Sequence, residues 1–512
     1  PVAVAGGAGV SGAAPGGSIQ ALAVSPVNAG VLWVGASSGL IQITRDGGQT
    51  WTDVTPASLA PGFANIIDAS HANAGTAYLA LLSRDAQPHI YRTSDYGAAW
   101  QEISSGLADG ELVRVVREDP HDPNILYAGT VTSVYVSFDR GDHWQSLQLN
   151  LPTTVVSDLT VHESDIAIST YGRGLWILDN ISPLRQARAA LAAPTPVFLF
   201  KPEPASRIRW DNTQDTPVPP EMVVGENPLE GAVIDYYLSS PATGPVTLAI
   251  ADAAGATVRE YSSVAPPPDT PMANVPEYWL MPPPVLATSA GMHRFAWDLR
   301  YPDPPTLNYG YSGGALDYRE YTLSWHAIPG KTPRTTLLGP MALPGNYTVK
   351  LTVNGRPYTQ PLTVVQDPRI TVPAPALAAQ FKLQQRMVAG LGATYQAMTY
   401  IGKVRAALGG AGAAGQAFDT ALTPLASGPD GFGIAHRDLG RRLNDMLVAD
   451  MVLTPSLIAG VDGPCANIDK ANEQLRAMQA ANVTAVNAAL RAAGGAELPL
   501  WTPPATPACG AK

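Results

Sequence analysis

An octapeptide that occurs three times constrains this chain more than any other feature. It stands as TRDGGQTW at 44–51, TSDYGAAW at 93–100 and SFDRGDHW at 137–144, each reading Ser/Thr-x-Asp-x-Gly-x-x-Trp. Asp46, Asp95 and Asp139 lie 49 and 44 residues apart, close to the roughly 40–50 residues of one four-stranded propeller blade. An apolar strand precedes each copy, VLWVGA at 31–36, TAYLAL at 76–81 and ILYAGT at 125–130, with turn signals such as Ser25-Pro26 and Asp119-Pro120 ahead of it. A fourth unit at 155–182 keeps the strand pattern and lacks the octapeptide. The repeat predicts four β-propeller blades over 19–185, behind a flexible leader at 1–18.

The octapeptide has a physical logic on the hairpin between the third and fourth strands of a blade. A short carboxylate accepts hydrogen bonds from turn N–H groups, which assigns Asp46, Asp95 and Asp139 a structural role in preference to a catalytic or metal-binding one. Gly48, Gly97 and Gly141 take the positive-φ position. Trp51, Trp100 and Trp144 are expected to cover the end of their own blades, and the Ser or Thr hydroxyl to tie the hairpin.

These residues resemble the Asp-box (BNR) repeat proteins, a group that includes sialidases, xyloglucan-active endoglucanases and the sortilin luminal domain. Over about 19–370 the chain is similar to the C-terminal half of bacterial exported proteins described as sortilin-like or BNR-repeat glycosyl hydrolases. HDPNILYAGT at 121–130, VYVSFDRGDHWQSLQLNLP at 134–152 and YGRGLWILDNISPLRQ at 171–186 carry that likeness. The resemblance implies a bacterial exported protein of the periplasm, cell surface or medium, with further blades ahead of these.

Beyond Arg185 the period changes. VFLF at 197–200, AVIDYYL at 232–238, VTLAIAD at 246–252, HRFAWDL at 293–299 and YTVKLTV at 347–353 alternate as short strands among prolines, predicting a β-sandwich over 196–370. ENPLEGAVIDYYL, AGMHRFAWDLR and LPGNYTVKLTVNG are similar to the immunoglobulin-like module of flagellar hook-cap and secretion-associated proteins, and 262–336 reads as a long insertion. Over 374–512 helical spacing takes over. Leu377, Phe381, Val388, Leu391, Tyr395 and Met398, then Leu439, Leu443 and Met446, then Ile468, Leu475 and Met478 predict a helical bundle with a Pro-rich tail, its loops at 408–415 and 427–434. Its Met and aromatic positions are expected in the core. The expected fold is mainly β: propeller blades, an immunoglobulin-like sandwich and a C-terminal α-helical bundle.

Composition narrows the partners. A net charge of -10 without a basic block disfavours nucleic acid and suits neutral or cationic ligands. No apolar run of about 18 residues is present, so no membrane-spanning helix is expected. The small residues at 1–18, beginning at Pro1, lack the charged and apolar regions of an intact signal peptide, so a processed or truncated start is expected. Cys465 and Cys509 are the two cysteines. A disulfide and a pair of reduced thiols both fit the sequence; the expectation is that Cys465 and Cys509 pair, since a bridge would restrain a Pro-rich tail that has no periodic burial of its own.

No CxxC, HExxH, EF-hand or Walker A pattern occurs, so neither a metal nor a cofactor is expected. A glycosidase needs two opposed carboxylates. Asp68, Asp119, Asp122 and Asp158 are available, but their positions match strand ends and Asp-Pro turns. The sialidase constellation of clustered arginines and a nucleophilic tyrosine does not map onto the chain. Propellers place ligands on the face opposite the boxes, where loops join second and third strands: 37–39, 84–87, 130–133 and 171–174. Arg84, Asp85, Tyr171 and Arg173 are therefore the ligand-facing candidates.

The expected function is binding or assembly with a peptide, glycan or partner protein. The alternative is a glycoside hydrolase whose catalytic blades lie on a separate N-terminal portion. Both faces of a four-blade stack, at Ile19–Val24 and Leu175–Leu178, would expose apolar side chains, which predicts a second polypeptide that completes the ring.

Overall fold

The computed structural model describes residues 17–192, 195–209, 225, 227–264, 284–305, 307, 337–498, 500–504 and 507–510. Most of the leader at 1–18 and of the insertion at 262–336 lies outside them. The chain forms two compact units, Pro1–Pro194 and Thr195–Lys512.

The first unit is a series of antiparallel meanders in chain order. Sheet 1 holds β1 (Ile19–Val24), β2 (Leu32–Ala36), β3 (Ile41–Thr44) and β4 (Thr52–Asp53). Sheet 2 holds β5 (Gly62–Ala69), β6 (Ala77–Ser83), β7 (His89–Thr93) and β8 (Gln101–Glu102). Sheet 3 holds β9 (Val113–Asp119), β10 (Asp122–Thr130), β11 (Val134–Ser137) and β12 (Gln145–Ser146). Sheet 4 has three strands, β13 (Val156–His162), β14 (Asp165–Thr170) and β15 (Leu175–Leu178). Without an octapeptide hairpin, the chain leaves β15 and turns into α1 (Ser182–Ala192).

The second strands explain the unbroken apolar runs in the sequence. β6 and the C-terminal part of β10 are buried on both faces because a sheet lies on either side, so alternation is lost there. Separate apolar cores fill the spaces between sheets 1 and 2, 2 and 3, and 3 and 4. The turn between first and second strands repeats one device. Ser25 Oγ accepts from the N–H of Val27 and Asn28, Ser70 Oγ from Ala72 and Asn73, and Asp119 Oδ1 from His121 and Asp122. Asp119 is also held at 3.0 Å by Nε of Arg185 on α1, whose Nη2 donates to the Glu163 carbonyl, tying the helix to sheets 3 and 4.

The second unit begins with two sheets over one core. β16 (Val197–Leu199), β18 (Ala232–Leu238) and β21 (Gly291–Trp297) make the smaller sheet. β17 (Ala205–Arg207), β23 (Arg356–Gln366), β22 (Gly345–Val353), β19 (Thr247–Ala251) and β20 (Thr257–Ser262) make the larger, in that order, with β17 parallel to β23. Ile234, Tyr236 and Trp297 from one sheet meet Leu248, Val349 and Leu351 from the other. The five strand segments read from the sequence lie in β16, β18, β19, β21 and β22, whereas β17, β20 and β23 were not foreseen.

Four long helices follow: α2 (Ala374–Ala407), α3 (Gly412–Ser427), α4 (Phe432–Leu447) and α5 (Pro455–Ala492). Thr454 caps α5 through Leu457 N–H, with Pro455 behind it in the first turn. The links are tighter than the expected loops at 408–415 and 427–434, because α3 starts at Gly412 and α4 at Phe432. Tyr395 is exposed, contrary to its expected place in the core. The buried stripe of α2 runs through Met387, Leu391, Thr394, Ala397 and Ile401, and Tyr395 falls just beside it. Cys465 on α5 and Cys509 in the tail form a disulfide with a Cα separation of 5.8 Å.

Two polar groups are built into this unit. Asp450 is buried, accepting from Arg207 at 2.5 Å, Arg209 at 2.6 Å and Gln366 at 3.1 Å. Burial alone would raise its pKa, but the two guanidiniums hold it down at about 2. His436 of α4 is fully buried beside Thr394 of α2 at 2.8 Å, and its Nε2 accepts from Leu307 N–H.

Candidate functional site

The first unit presents two opposite ends, one bearing the octapeptide turns and the other the loops between second and third strands. The octapeptide carboxylates are consumed by their own hairpins. Thr44 donates to Asp46 at 2.7 Å, and Asp46 accepts from the N–H of Gln49 and Thr50, both at 2.9 Å, and from the Thr50 hydroxyl at 2.6 Å. Thr93 and Ala99 N–H serve Asp95 alike, as do Ser137 and His143 N–H for Asp139. The Thr50 hydroxyl above all, with the turn amides, pulls the Asp46 pKa down; Ala99 N–H is foremost at Asp95. At Asp139 burial opposes the same effect and His143 overcomes it. Gly48, Gly97 and Gly141 sit at φ 96°, 84° and 93°, following Gly47, Tyr96 and Arg140, which are also left-handed.

Two of the three tryptophans, Trp100 and Trp144, do not cover their own sheets. Trp100 of sheet 2 reaches back to sheet 1, donating to the Val54 carbonyl at 2.8 Å and meeting the ring of Trp33 edge-on at 5.9 Å. Trp144 of sheet 3 likewise donates to Ile103, just past the last strand of sheet 2, at 2.6 Å. The expectation of end-capping therefore gives way to stapling, because a ring that leans onto the next sheet buries more area and finds an acceptor for its N–H.

First strands of neighbouring sheets lie against one another and carry an ion cluster. Arg117 of β9 bridges Asp68 of β5 at 3.2 Å and Asp158 of β13 at 3.0 Å, and donates from Nε to the Leu159 carbonyl. Burial raises the Asp68 pKa despite Arg117, and burial, with repulsion from Asp68, raises that of Glu118, which accepts from Ser70 and His71 N–H. Asp68 and Asp158 thus share one guanidinium, while Asp119 and Asp122 accept from turn groups. Neither arrangement sets two carboxylates across an open cleft.

At the opposite end all four candidates are exposed. Tyr171 is 63 % exposed, with the Arg114 guanidinium 5.7 Å from its ring centroid. The Arg173 carbonyl accepts from Trp176 Nε1, fixing the loop at 171–174. Asp85 accepts from Gln87 N–H and pairs with His89 at 3.0 Å, and His89 reaches Glu102 at 2.6 Å. Gln87 N–H and His89 lower the Asp85 pKa. Arg84 has its backbone N–H on the Pro61 carbonyl. Arg114, Arg117, His89 and Glu102 were missed in the sequence. The available signal was VRVVRED at 113–119, where two arginines interrupt the apolar first strand of a repeat.

Among the described residues no cluster of three metal-ligating side chains occurs and no helix is long and apolar enough to cross a membrane.

No protein-family model matches the chain. No curated protein matches it either. Among solved structures, YCF48 from Cyanidioschyzon merolae is 17% identical over 32% of this chain and 53% of that one, with a TM-score of 0.25. YCF48 bound to D1 peptide is 15% identical over 31% and 77%, with a TM-score of 0.15. The beta-propeller domain of Myceliophteria thermophila Cps50 (Swd1) is 11% identical over 31% and 51%, with a TM-score of 0.26. The match thus spans about half the length of the first of these chains. At these scores the likenesses carry no argument about activity.

Proposed function

We propose that this chain is an exported, sortilin-like binding or assembly protein whose first unit is part of an Asp-box β-propeller. Its second unit, on this reading, joins an immunoglobulin-like sandwich to a helical bundle. Ligand is taken on the face of the loops between second and third strands, and further blades on another polypeptide belong to the same ring. The observation that carries the binding role is the side chain of Tyr171. An aromatic ring this exposed, backed by Arg114 and flanked by Arg173, offers a stacking surface and a cation to a peptide or glycan. The carboxylates weighed for glycoside hydrolysis are engaged by turns or by Arg117, and no observation favours that alternative. The Cys465–Cys509 bridge supports an oxidising compartment.

Immobilised oligosaccharide and peptide arrays probed with the full chain test the reading. Binding should saturate and fall at least about tenfold in Tyr171→Ala and Arg173→Ala, the loss of ~1.4 kcal/mol, with the melting temperature unchanged. Array binding that survives both substitutions would refute this face as the site.

A further inference from the structure

Helix α2 carries Lys382, Arg386, Lys403 and Arg405 and no acidic residue over its 34 positions. Arg386 and Arg405 are answered across the bundle by Asp462 of α5 and Asp419 of α3. Lys403 is exposed and has no ion pair among the described residues. Beside it opens a depression of about 330 Å³, lined by Tyr395, Gln396, Thr399, Tyr400 and Lys403. Positions 395, 399 and 403 stand four apart, and 396, 400 and 403 four and three apart, so two adjacent rows share one helix face. At 1.5 Å per residue, Tyr395 to Lys403 covers about 12 Å of the axis.

The lining divides into a fixed wall and free groups. Tyr400 is the wall: it is buried, Gln479 Nε2 of α5 donates to its hydroxyl at 2.8 Å, and the Trp501 ring of the tail lies 5.1 Å from its own. The tail is itself anchored, by the Cys465–Cys509 bridge and by Ala508 N–H on Asp469 at 2.8 Å. Tyr395, Gln396 and Thr399 are exposed, and their side chains make no hydrogen bond among the described residues. A flat ring, an amide, a hydroxyl and an unpaired ammonium thus face one space, and none of them serves the core of the bundle.

We infer that this face of α2 binds an acidic sugar, a hexuronate, at a site of its own in the second unit. The apolar face of the sugar ring lies on Tyr395. Gln396 and Thr399, which both donate and accept, hydrogen-bond its hydroxyls, and its carboxylate pairs with Lys403. A neutral sugar would leave the ammonium unanswered, and an aromatic acid would leave the amide and the hydroxyl without partners. The inference does not rest on the ligand at Tyr171.

Calorimetric titration of the full chain with digalacturonate tests it. Binding should saturate, and Tyr395→Ala and Lys403→Met should each weaken it by about fivefold or more, the effect of losing an aromatic face or a charge-assisted hydrogen bond. Both side chains are exposed, so the melting temperature should stay within about 2 °C. Galactobiose, which lacks the carboxylates, should bind about fivefold more weakly and lose nothing further in Lys403→Met. Galacturonic acid alone separates the sources: affinity equal to that of the dimer assigns a free acid, and weaker binding assigns a chain, either result supporting the site. No saturable binding of digalacturonate, or binding that survives both α2 substitutions, would overturn the proposal. Tyr171→Ala is the control that should leave this titration unchanged, so a failure here and a failure of the first-unit site are told apart.

Discussion

At the scale of single residues, the octapeptide shows what one carboxylate does when a turn surrounds it with donors. Asp95 accepts from Thr93 and from Ala99 N–H, and Gly97 N–H goes to the Thr93 hydroxyl. Three groups that a bare turn would leave to water are thereby paired. Asp95→Ala should cost about 1 kcal/mol of stability in the first unit, as removal of a helix-capping oxygen does, without altering ligand binding in the folded fraction. Urea unfolding followed by Trp fluorescence reads the first effect, and array binding at matched folded fraction reads the second. A stable Asp95→Ala protein lacking only its binding would contradict this. His436 belongs to the same scale. Burial lowers its pKa from 6.5 to about 4, so above pH 6.5 it is neutral folded or unfolded and contributes no pH dependence. As pH falls from 6.5 to 4 the unfolded chain takes up a proton that the native site refuses, and stability drops by about 3 kcal/mol, levelling off below pH 4. Unfolding of the second unit measured across that range should show the drop, and His436→Gln should flatten it.

At the scale of elements, legibility followed how much of a signal is local. The octapeptide hairpins, the segments in β6 and β10 and the helical stripes of α4 and α5 carry their own pattern. Sheet membership does not, and β17 shows why. Its three residues, Ala205–Arg207, are held by parallel pairing to Val364–Gln366, about 160 positions away, and by Arg207 on Asp450. Nothing within reach of a sequence window announces either. Tyr395 was misplaced for a related reason: a helix of 34 residues drifts against any short repeat of apolar positions, and the neighbouring helices choose the stripe that is buried. The candidate site was half legible. The loop positions of Arg84, Asp85, Tyr171 and Arg173 followed from strand counting, whereas Arg114 behind Tyr171 depends on sheets 3 and 4 coming together.

At the scale of the whole molecule, the two units differ in how they are secured. The first has no cysteine and relies on repeated joints between sheets; the second closes a 44-residue span with the Cys465–Cys509 bridge. A loop of that length corresponds to about 4 kcal/mol of restraint on the unfolded chain. Calorimetry with and without reductant should show the transition of the second unit fall, while that of the first stays in place; a shift of both would contradict the division. The staple between sheets has one further consequence. Because the carbonyl of each staple comes from the earlier sheet and the indole from the later one, the row is polar in the sense of a filament with unlike ends. Two copies brought together first sheet to first sheet would set indole against indole, so symmetric face-to-face pairing through sheet 1 could not reproduce the staple.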